Sequence, residues 1–335
     1  MTAMLLSGHT VEAAPSITAA SSVVMGEAGE LLYEKNSQQK LPVASTTKIM
    51  TAIVVLENCT LDDVVQISYE SCNVEGSSMY LSPGEEYTVK ELLQGMMLVS
   101  GNDAATALAI HTAGNIEKFS ELMNQKCREL GMENSNFKNP HGLSEEGHYS
   151  TALDMAKLMV YCMKNTDFAE LTACRAMSTE THSFINHNKL LYICPGCIGG
   201  KTGYTLAAGR CLVSVCRRED AQLVCVTLSA PDDWNDHMKL YNWAYSQFTL
   251  RNLSEKMVFD IPVVSGEENK VVLAAEDCQL LLPKKSKIII RVQLPHFEFA
   301  PIAQGDEGGS YKAYCEGELI AEGKLLYQTE VEVSS

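Results

Sequence analysis

No run of ~18 apolar residues occurs in the chain, so no segment is expected to cross a bilayer as a helix. Basic residues are also scarce. Only 26 Lys and Arg stand against 42 Asp and Glu, and the net charge of −16 argues against a nucleic-acid partner, which would need a basic stripe. A second Cys-x-x-Cys is missing too, which weakens any zinc reading of the one present. Cysteine itself is plentiful, with 12 in 335 residues. The positions are scattered (Cys59, Cys72, Cys127, Cys162, Cys174 and onward) in a chain long enough to bury a large core without a disulfide framework. Cys162 in Leu158-Met159-Val160-Tyr161-Cys162 and Cys225 in Leu223-Val224-Cys225-Val226 sit inside apolar runs and read as small core residues.

Three short motifs follow in order: Ser45-Thr46-Thr47-Lys48, Ser100-Gly101-Asn102 and Lys201-Thr202-Gly203. Roughly one Ser-x-x-Lys is expected by chance in a chain this long, and Ser37 to Lys40 and Ser135 to Lys138 also fit. Context selects Ser45. It alone precedes a long apolar stretch, Ile49 to Leu56, which reads as a helix buried on all sides, and Pro42 just upstream disfavours helix before it. Ser45 is therefore expected at a helix N-terminus, where unpaired N–H groups and the dipole can hold a developing oxyanion. Lys48, three residues on, shares its face. Ser37 and Ser135 fall in polar, turn-like stretches. Ser71-Cys72-Asn73 competes with the second motif. Ser100 is better placed, ending the run Met96-Met97-Leu98-Val99 and preceding a helix that Asn102 or Asp103 can cap. Serine is a weak nucleophile without a neighbouring base, and the only titratable group its motif offers is Lys48. A lysine near its free value of ~10.4 is protonated at neutral pH, so burial and a nearby cation, with Lys201 the candidate, must depress it.

The three motifs together are the signature of penicillin-binding proteins and class A β-lactamases. Beyond them, Leu31-Leu32-Tyr33-Glu34-Lys35-Asn36, Leu41-Pro42-Val43-Ala44 running into Ser45, Ser100 to Ala105, Asn139-Pro140-His141-Gly142-Leu143 and Gly200 to Thr205 closely resemble D-alanyl-D-alanine carboxypeptidases. The resemblance runs from about residue 20 to the end. It implies Ser45, Lys48, Ser100 and Asn102 as catalytic residues and Lys201, Thr202, Gly203 and Tyr204 as substrate-binding ones, with the backbone N–H groups of Ser45 and Tyr204 as oxyanion hole. It implies no cofactor and no metal. The partners it implies are the D-Ala-D-Ala end of peptidoglycan stem peptides and β-lactam antibiotics as covalent inhibitors, met in an exported, extracytoplasmic setting. A serine β-lactamase of the same fold is the alternative, although no Glu-x-x-Leu-Asn segment supplies its deacylating base. A non-catalytic peptidoglycan-binding or redox module is another, and it leaves the intact serine-lysine set without a purpose.

The resemblance and the periodicities agree on an α+β fold of the β-lactamase/DD-peptidase kind: an antiparallel sheet with packed helices and a helical subdomain, plus a small C-terminal all-β domain. Residues 22–34 read as two short strands. Helical patterns cover 45–57, 88–99, 102–113, 116–130 and 151–164, the last opening with the cap-like Thr151-Ala152-Leu153-Asp154. Residues 205–230 read as a hairpin turning at Arg217-Arg218-Glu219-Asp220, and 232–248 as a helix. From about 255 the texture becomes short alternating strands, Lys270 to Leu273, Lys287 to Val292, Glu318 to Ala321 and Lys324 to Tyr327. The expected division is a truncated signal remnant at 1–14, with Val11-Glu12-Ala13 as its cleavage site, a catalytic domain at 15–250 and a β-rich domain at 255–335. Many relatives add an amphipathic membrane-anchoring helix, so peripheral membrane association is a further suggestion, although this sequence stops at Glu332-Val333-Ser334-Ser335. Cys194-Pro195-Gly196-Cys197 can be half a zinc site with His182 and His187, a local disulfide, or a turn, and Pro-Gly favours the turn. His141 and His148 read as structural loop residues.

Overall fold

A computed structural model describes residues 11–178 and 183–334, so most of the expected signal remnant and His182 lie outside the described residues. The described residues divide into two units, one of 14–245 and one of 11–13 together with 246–334.

In the first unit, hairpins from opposite ends of the sequence build one antiparallel sheet. Ser21–Gly26 (β1) and Leu31–Lys35 (β2) turn over Gly29, whose N–H donates to the Gly26 carbonyl at 3.1 Å. Cys197–Thr205 (β3), Gly209–Arg218 (β4) and Ala221–Leu228 (β5) form a meander. β1 then pairs with β5, Val23 opposite Val226, and the sheet runs β2-β1-β5-β4-β3. β5 is buried along its whole length, which is why it reads as a continuous apolar run rather than an alternation. The third motif lies on β3 itself, at the sheet edge.

The long insertion between the hairpins is helical: Lys48–Asn58 (α1), Val89–Leu98 (α2), Asn102–Ala113 (α3), Ile116–Glu129 (α4), Ala152–Cys162 (α5) and Thr166–Ala173 (α6). Local signals set their ends. Thr88 and Glu91 form a reciprocal capping box at α2, Gly114 at φ 86° ends α3, and Thr151 Oγ1 accepts from Asp154 N–H at 3.1 Å to start α5. α1 is buried from Lys48 through Val55 and packs against all five other helices. Each of its Ile, Met and Val side chains contributes about 1.5–3 kcal/mol on burial, which offsets the cost of enclosing the Lys48 amine among them. Two short ribbons, Val64–Gln66 with Glu86–Thr88 and Ala176–Ser178 with Ser183–Ile185, carry too few residues to show a period in the sequence.

Asp233–Gln247 (α7) closes the unit. It is tied to the sheet by a buried polar cluster in which Ser214 Oγ lies 2.7 Å from both His237 Nδ1 and Tyr241 Oη, and Thr227 Oγ1 lies 3.0 Å from His237 Nε2. Asp236 on α7 accepts from Thr18 N–H, Thr18 Oγ1 and Ala19 N–H within 3.0 Å, which fixes the approach to β1.

The second unit holds Val258–Val264 (β6), Lys270–Ala275 (β7), Ile288–Gln293 (β8), Glu298–Phe299 (β9), Glu307–Cys315 (β10) and Glu318–Tyr327 (β11) in the order β8-β10-β11-β7-β6-β9. Met257, Ile261, Leu273, Leu282, Ala313 and Leu325 centre its core. The segments expected at 318–321 and 324–327 are one continuous strand. Gly323, which looks like a break, lies inside it, because a Cβ there would stand 2.9 Å from the Tyr311 ring.

Asp236→Ala leaves the buried Ala19 N–H without its acceptor, and a loss of about 2 kcal/mol is expected in urea unfolding. A change under ~0.5 kcal/mol would mean that water or another group replaces the carboxylate.

Candidate functional site

Ser45 sits in a 3₁₀ turn, Ala44–Thr47, that runs directly into α1. The expected helix N-terminus is thus a tighter turn, entered through Ala44 at φ 46°, a left-handed conformation that costs a non-glycine residue energy and persists only where surroundings enforce it. Enforcement comes from several sides. Thr46 Oγ1 donates to the Val43 carbonyl at 2.6 Å, Thr47 Oγ1 lies 2.9 Å from His148 Nε2, and Thr51 Oγ1 donates to the Pro140 carbonyl at 2.6 Å. Gly142, at φ 87°, passes so close that a Cβ would fall 1.9 Å from the Ala44 oxygen.

One turn later the Lys48 side chain points back along the helix. Its Nζ lies 2.7 Å from Asn102 Oδ1, 2.9 Å from the His141 carbonyl and 3.1 Å from Ser45 Oγ. The first two partners only accept. In its neutral form the amine gives its two N–H bonds to these acceptors and keeps its lone pair for the Ser45 hydroxyl. Burial, and next the charge of Lys201, hold Lys48 well below its ordinary 10.5. His141, read from the sequence as structural, matters here through its backbone oxygen. Burial pushes its ring down to about 3, with Lys48 adding to the effect.

The second motif breaks between α2 and α3. Ser100 adopts φ 65°, and Asn102 N–H donates to the Ser77 carbonyl at 2.7 Å. Asn102 Nδ2 donates to the Glu75 carbonyl at 2.6 Å, which turns Oδ1 toward Lys48. Neither Asn102 nor Asp103 caps α3 as expected. Gly101 holds the cap position, and Asp103 reaches outward to accept from Ser78 Oγ at 2.6 Å, Met79 N–H at 2.8 Å and Leu81 N–H at 3.1 Å. This buried carboxylate anchors the loop that carries Ser77 to the cleft.

Lys201 and Thr202 come from the sheet edge. Lys201, 1% exposed, extends its Nζ to Ser100 Oγ at 3.1 Å and to the Thr202 carbonyl at 2.9 Å, and burial lowers it to about 7. Gly203 is required by proximity, since a Cβ would stand 3.0 Å from both Ser45 N and the Val43 oxygen. That contact brings β3 against the 3₁₀ turn. Tyr204, the next residue, is exposed at the rim.

These parts enclose a cleft of about 300 Å³ lined by Ser45, Ser77, Ser100, His187, Thr202, Gly203, Tyr204, Arg210, Asp233 and Trp234. All eight sequence-chosen residues meet here, with Lys48, Asn102 and Lys201 behind the lining. A larger hollow of about 440 Å³ in the second unit, lined by Arg251, Asn252, Leu253, Lys256, Ile288 and Ile290, contains no nucleophile beside a base. The competitors are occupied elsewhere: Ser37 Oγ donates to Glu34, Ser135 Oγ to Asp154 at 2.8 Å and Ser71 Oγ to the Ser68 carbonyl at 2.9 Å.

Arg210, Asp233 and Trp234 were not anticipated, and His187, weighed from the sequence only as a zinc ligand, lines the cleft instead. Arg210 Nε and Nη2 both donate to Asp233 Oδ1, at 3.0 and 2.8 Å, and its guanidinium stacks 5.5 Å from the Trp234 ring. The cation is thus aimed rather than free. A hairpin register after the third motif would have flagged it, because Arg210 stands opposite Tyr204 on β4.

A sequence profile of the D-alanyl-D-alanine carboxypeptidase family matches residues 8–232, and one of the penicillin-binding protein 5 C-terminal domain matches 248–333. D-alanyl-D-alanine carboxypeptidase DacF of Bacillus subtilis is 33% identical over 91% of this chain and 83% of its own length. DacC of Escherichia coli is 34% identical over 97% and 86%. The solved structure of penicillin-binding protein 5 from Haemophilus influenzae superposes with a TM-score of 0.82 at 29% identity, covering 96% of this chain and 99% of that one.

Gly142→Ala is expected to destabilise the protein by more than ~2 kcal/mol, because strain and a clash with backbone coincide there. Gly114→Ala, at a similar φ in open space, should cost only the ~1 kcal/mol of strain. Equal losses in thermal melts would show that the contact with Ala44 is unimportant.

Proposed function

Because the chain belongs to the D-alanyl-D-alanine carboxypeptidase family, we propose that Ser45 is the nucleophile of a serine-type carboxypeptidase that removes the terminal D-alanine of peptidoglycan stem peptides through an acyl-enzyme. The observation that carries this reading is the Lys48 amine, 3.1 Å from Ser45 Oγ with its two N–H bonds taken by obligate acceptors. The family matches support this reading rather than a β-lactamase or a non-catalytic module.

Lys48 takes the hydroxyl proton as Ser45 Oγ attacks the carbonyl carbon between the two D-alanines. The oxyanion forms against the backbone N–H groups of Ser45 and Tyr204. Ser100, hydrogen-bonded to Lys201, relays the proton now held by Lys48 to the leaving amine, which returns Lys48 to its neutral form, and Asn102 keeps Lys48 oriented. The extended peptide lies along the free edge of β3 as an added strand. Its terminal carboxylate meets the Thr202 hydroxyl and the guanidinium of Arg210, with Lys201 supplying positive charge from behind. Water then releases the shortened peptide. A β-lactam, carrying a carboxylate beside a reactive acyl group, enters the same cleft and stays bound as the acyl-enzyme.

Such a substrate places the protein outside the cytoplasmic membrane, exported through an N-terminal signal, and ties its action to cell-wall cross-linking and cell shape. Residues 15–250 carry the chemistry, and 255–335 serve as a β-rich stalk, with peripheral membrane association as an accompanying arrangement. Among the described residues no helix is long and apolar enough to span a membrane.

Release of D-alanine from a Lys-D-Ala-D-Ala peptide is expected to fall by at least ~10³-fold in Ser45→Ala. Retained release from a folded variant would overturn the assignment. Lys48 must be neutral to act, so activity declines as pH falls through its depressed value. Lys201 must be charged, so kcat/KM declines again as pH rises past about 7 in the free enzyme. Lys201→Arg keeps the cation at all working pH values and should move the alkaline limb upward; an unmoved limb would assign it to another group. Arg210→Ala should lower kcat/KM roughly 10–100-fold for a peptide with a free C-terminal carboxylate, and much less for its carboxamide. Equal losses on both substrates would refute carboxylate recognition by Arg210.

A further inference from the structure

Three of the twelve free thiols gather where β3 begins. Cys194 ends a short helix before the strand, Cys197 opens the strand, and Cys216 stands opposite Cys197 on β4. That register does not pair those two sulfurs, because Cys197 Sγ turns to its own strand and donates to the Gly199 carbonyl at 3.6 Å. Cys194 and Cys216 instead share one acceptor, the Pro195 carbonyl, with Cys194 Sγ at 3.9 Å and Cys216 Sγ at 3.5 Å, and Arg218 Nε donates to the same oxygen at 3.3 Å. Two thiols gathered around one backbone oxygen can be brought to bonding geometry by side-chain rotation. Pro195 and Gly196, which cover them, are exposed, so a small reagent has an approach. Metal ligation is less well supported, since the one group of three donors in mutual reach among the described residues is Cys59, Asp63 and His111.

We propose that Cys194 and Cys216 are a disulfide-forming pair, oxidised by thiol–disulfide exchange with a low-molecular-weight disulfide, and that their bridge clamps the start of β3 to β4. Cys194 is the attacking group. The neighbouring Cys216 thiol, and then the charge of Arg218, bring its thiol down to about 7 against the opposing effect of burial, whereas burial drives Cys197 up to about 12. The Cys194 thiolate attacks one sulfur of the reagent, its S–S bond breaks, and one thiolate leaves and takes a proton. Cys216 then gives up its proton and attacks the Cys194 sulfur of the mixed disulfide, releasing the second thiol. Two protein thiols are oxidised, and one small disulfide is reduced to two thiols. The bridge closes a loop of about twenty residues, which disfavours the unfolded chain, and it stiffens the strand that carries Lys201 a few residues on.

The test incubates the full chain with oxidised glutathione, then counts thiols in denaturant and maps peptides. The expected result is a fall of two from the twelve thiols, a peptide joining Cys194 to Cys216, a melting temperature several degrees higher, and reversal by dithiothreitol. Cys216→Ser should stop at a glutathione adduct on Cys194, and Cys197→Ser should still form the bridge. A Cys194–Cys197 bridge, an adduct that persists on Cys194 in the unaltered chain, or both thiols left free would each overturn the proposal. Mapping of the unaltered chain decides even if a variant does not fold.

Discussion

An amine buried in an apolar helix is the constraint on which the rest of this structure depends. Lys48 is fully enclosed, and enclosure disfavours its charged form. That is tolerable only because Asn102 Oδ1, the His141 carbonyl and Ser45 Oγ all lie within hydrogen-bond reach of its Nζ. The same three contacts dictate three chain paths: the tight turn at Ala44, the break between α2 and α3, and the loop through Gly142. Each path includes a residue at positive φ, namely Ala44, Ser100 and Gly142. Strain and chemistry therefore coincide, as expected where surrounding structure holds a backbone in an unfavourable conformation for use.

The sheet supplies rigidity to the other wall. Because β1 from the N-terminal hairpin pairs with β5 from the C-terminal meander, the helical insertion is closed between them, and the free edge falls on β3. Gly203 lets that edge approach Ser45 N, while Gly199 admits Thr172 of α6, whose Oγ1 accepts from Gly200 N–H at 2.8 Å. Lys201 is thereby delivered to Ser100, not to Lys48 directly. The two lysines lie on opposite walls of one cleft, and each depends on burial for its lowered basicity.

Much of the plan was legible in order and context. An apolar run with no polar face marked α1, Thr151 and Asp154 marked the start of α5, and the turn at Arg217 to Asp220 marked the hairpin of β4 and β5 after the third motif. What escaped were positions whose meaning comes from a neighbour remote in sequence. Arg210 looks like an ordinary residue after a turn until Asp233 and Trp234 aim it. His141 contributes a backbone oxygen, which no side-chain pattern advertises, and Asp103 serves a loop more than twenty residues earlier in place of capping its own helix. Gly323 looked like a strand break because the Tyr311 ring that occupies its missing Cβ lies on another strand.

By itself, then, the sequence determined which side chains were the candidates for chemistry and on what kind of element each rides, because periodicity and turn chemistry act over a few residues. Only the tertiary structure decided how far burial depresses the basicity of Lys48, which groups surround its amine, how Arg210 faces the cleft and which two of three neighbouring thiols share one carbonyl. Those properties depend on desolvation and on distances of about 3 Å between segments a hundred residues apart, and such contacts leave no local trace in the chain.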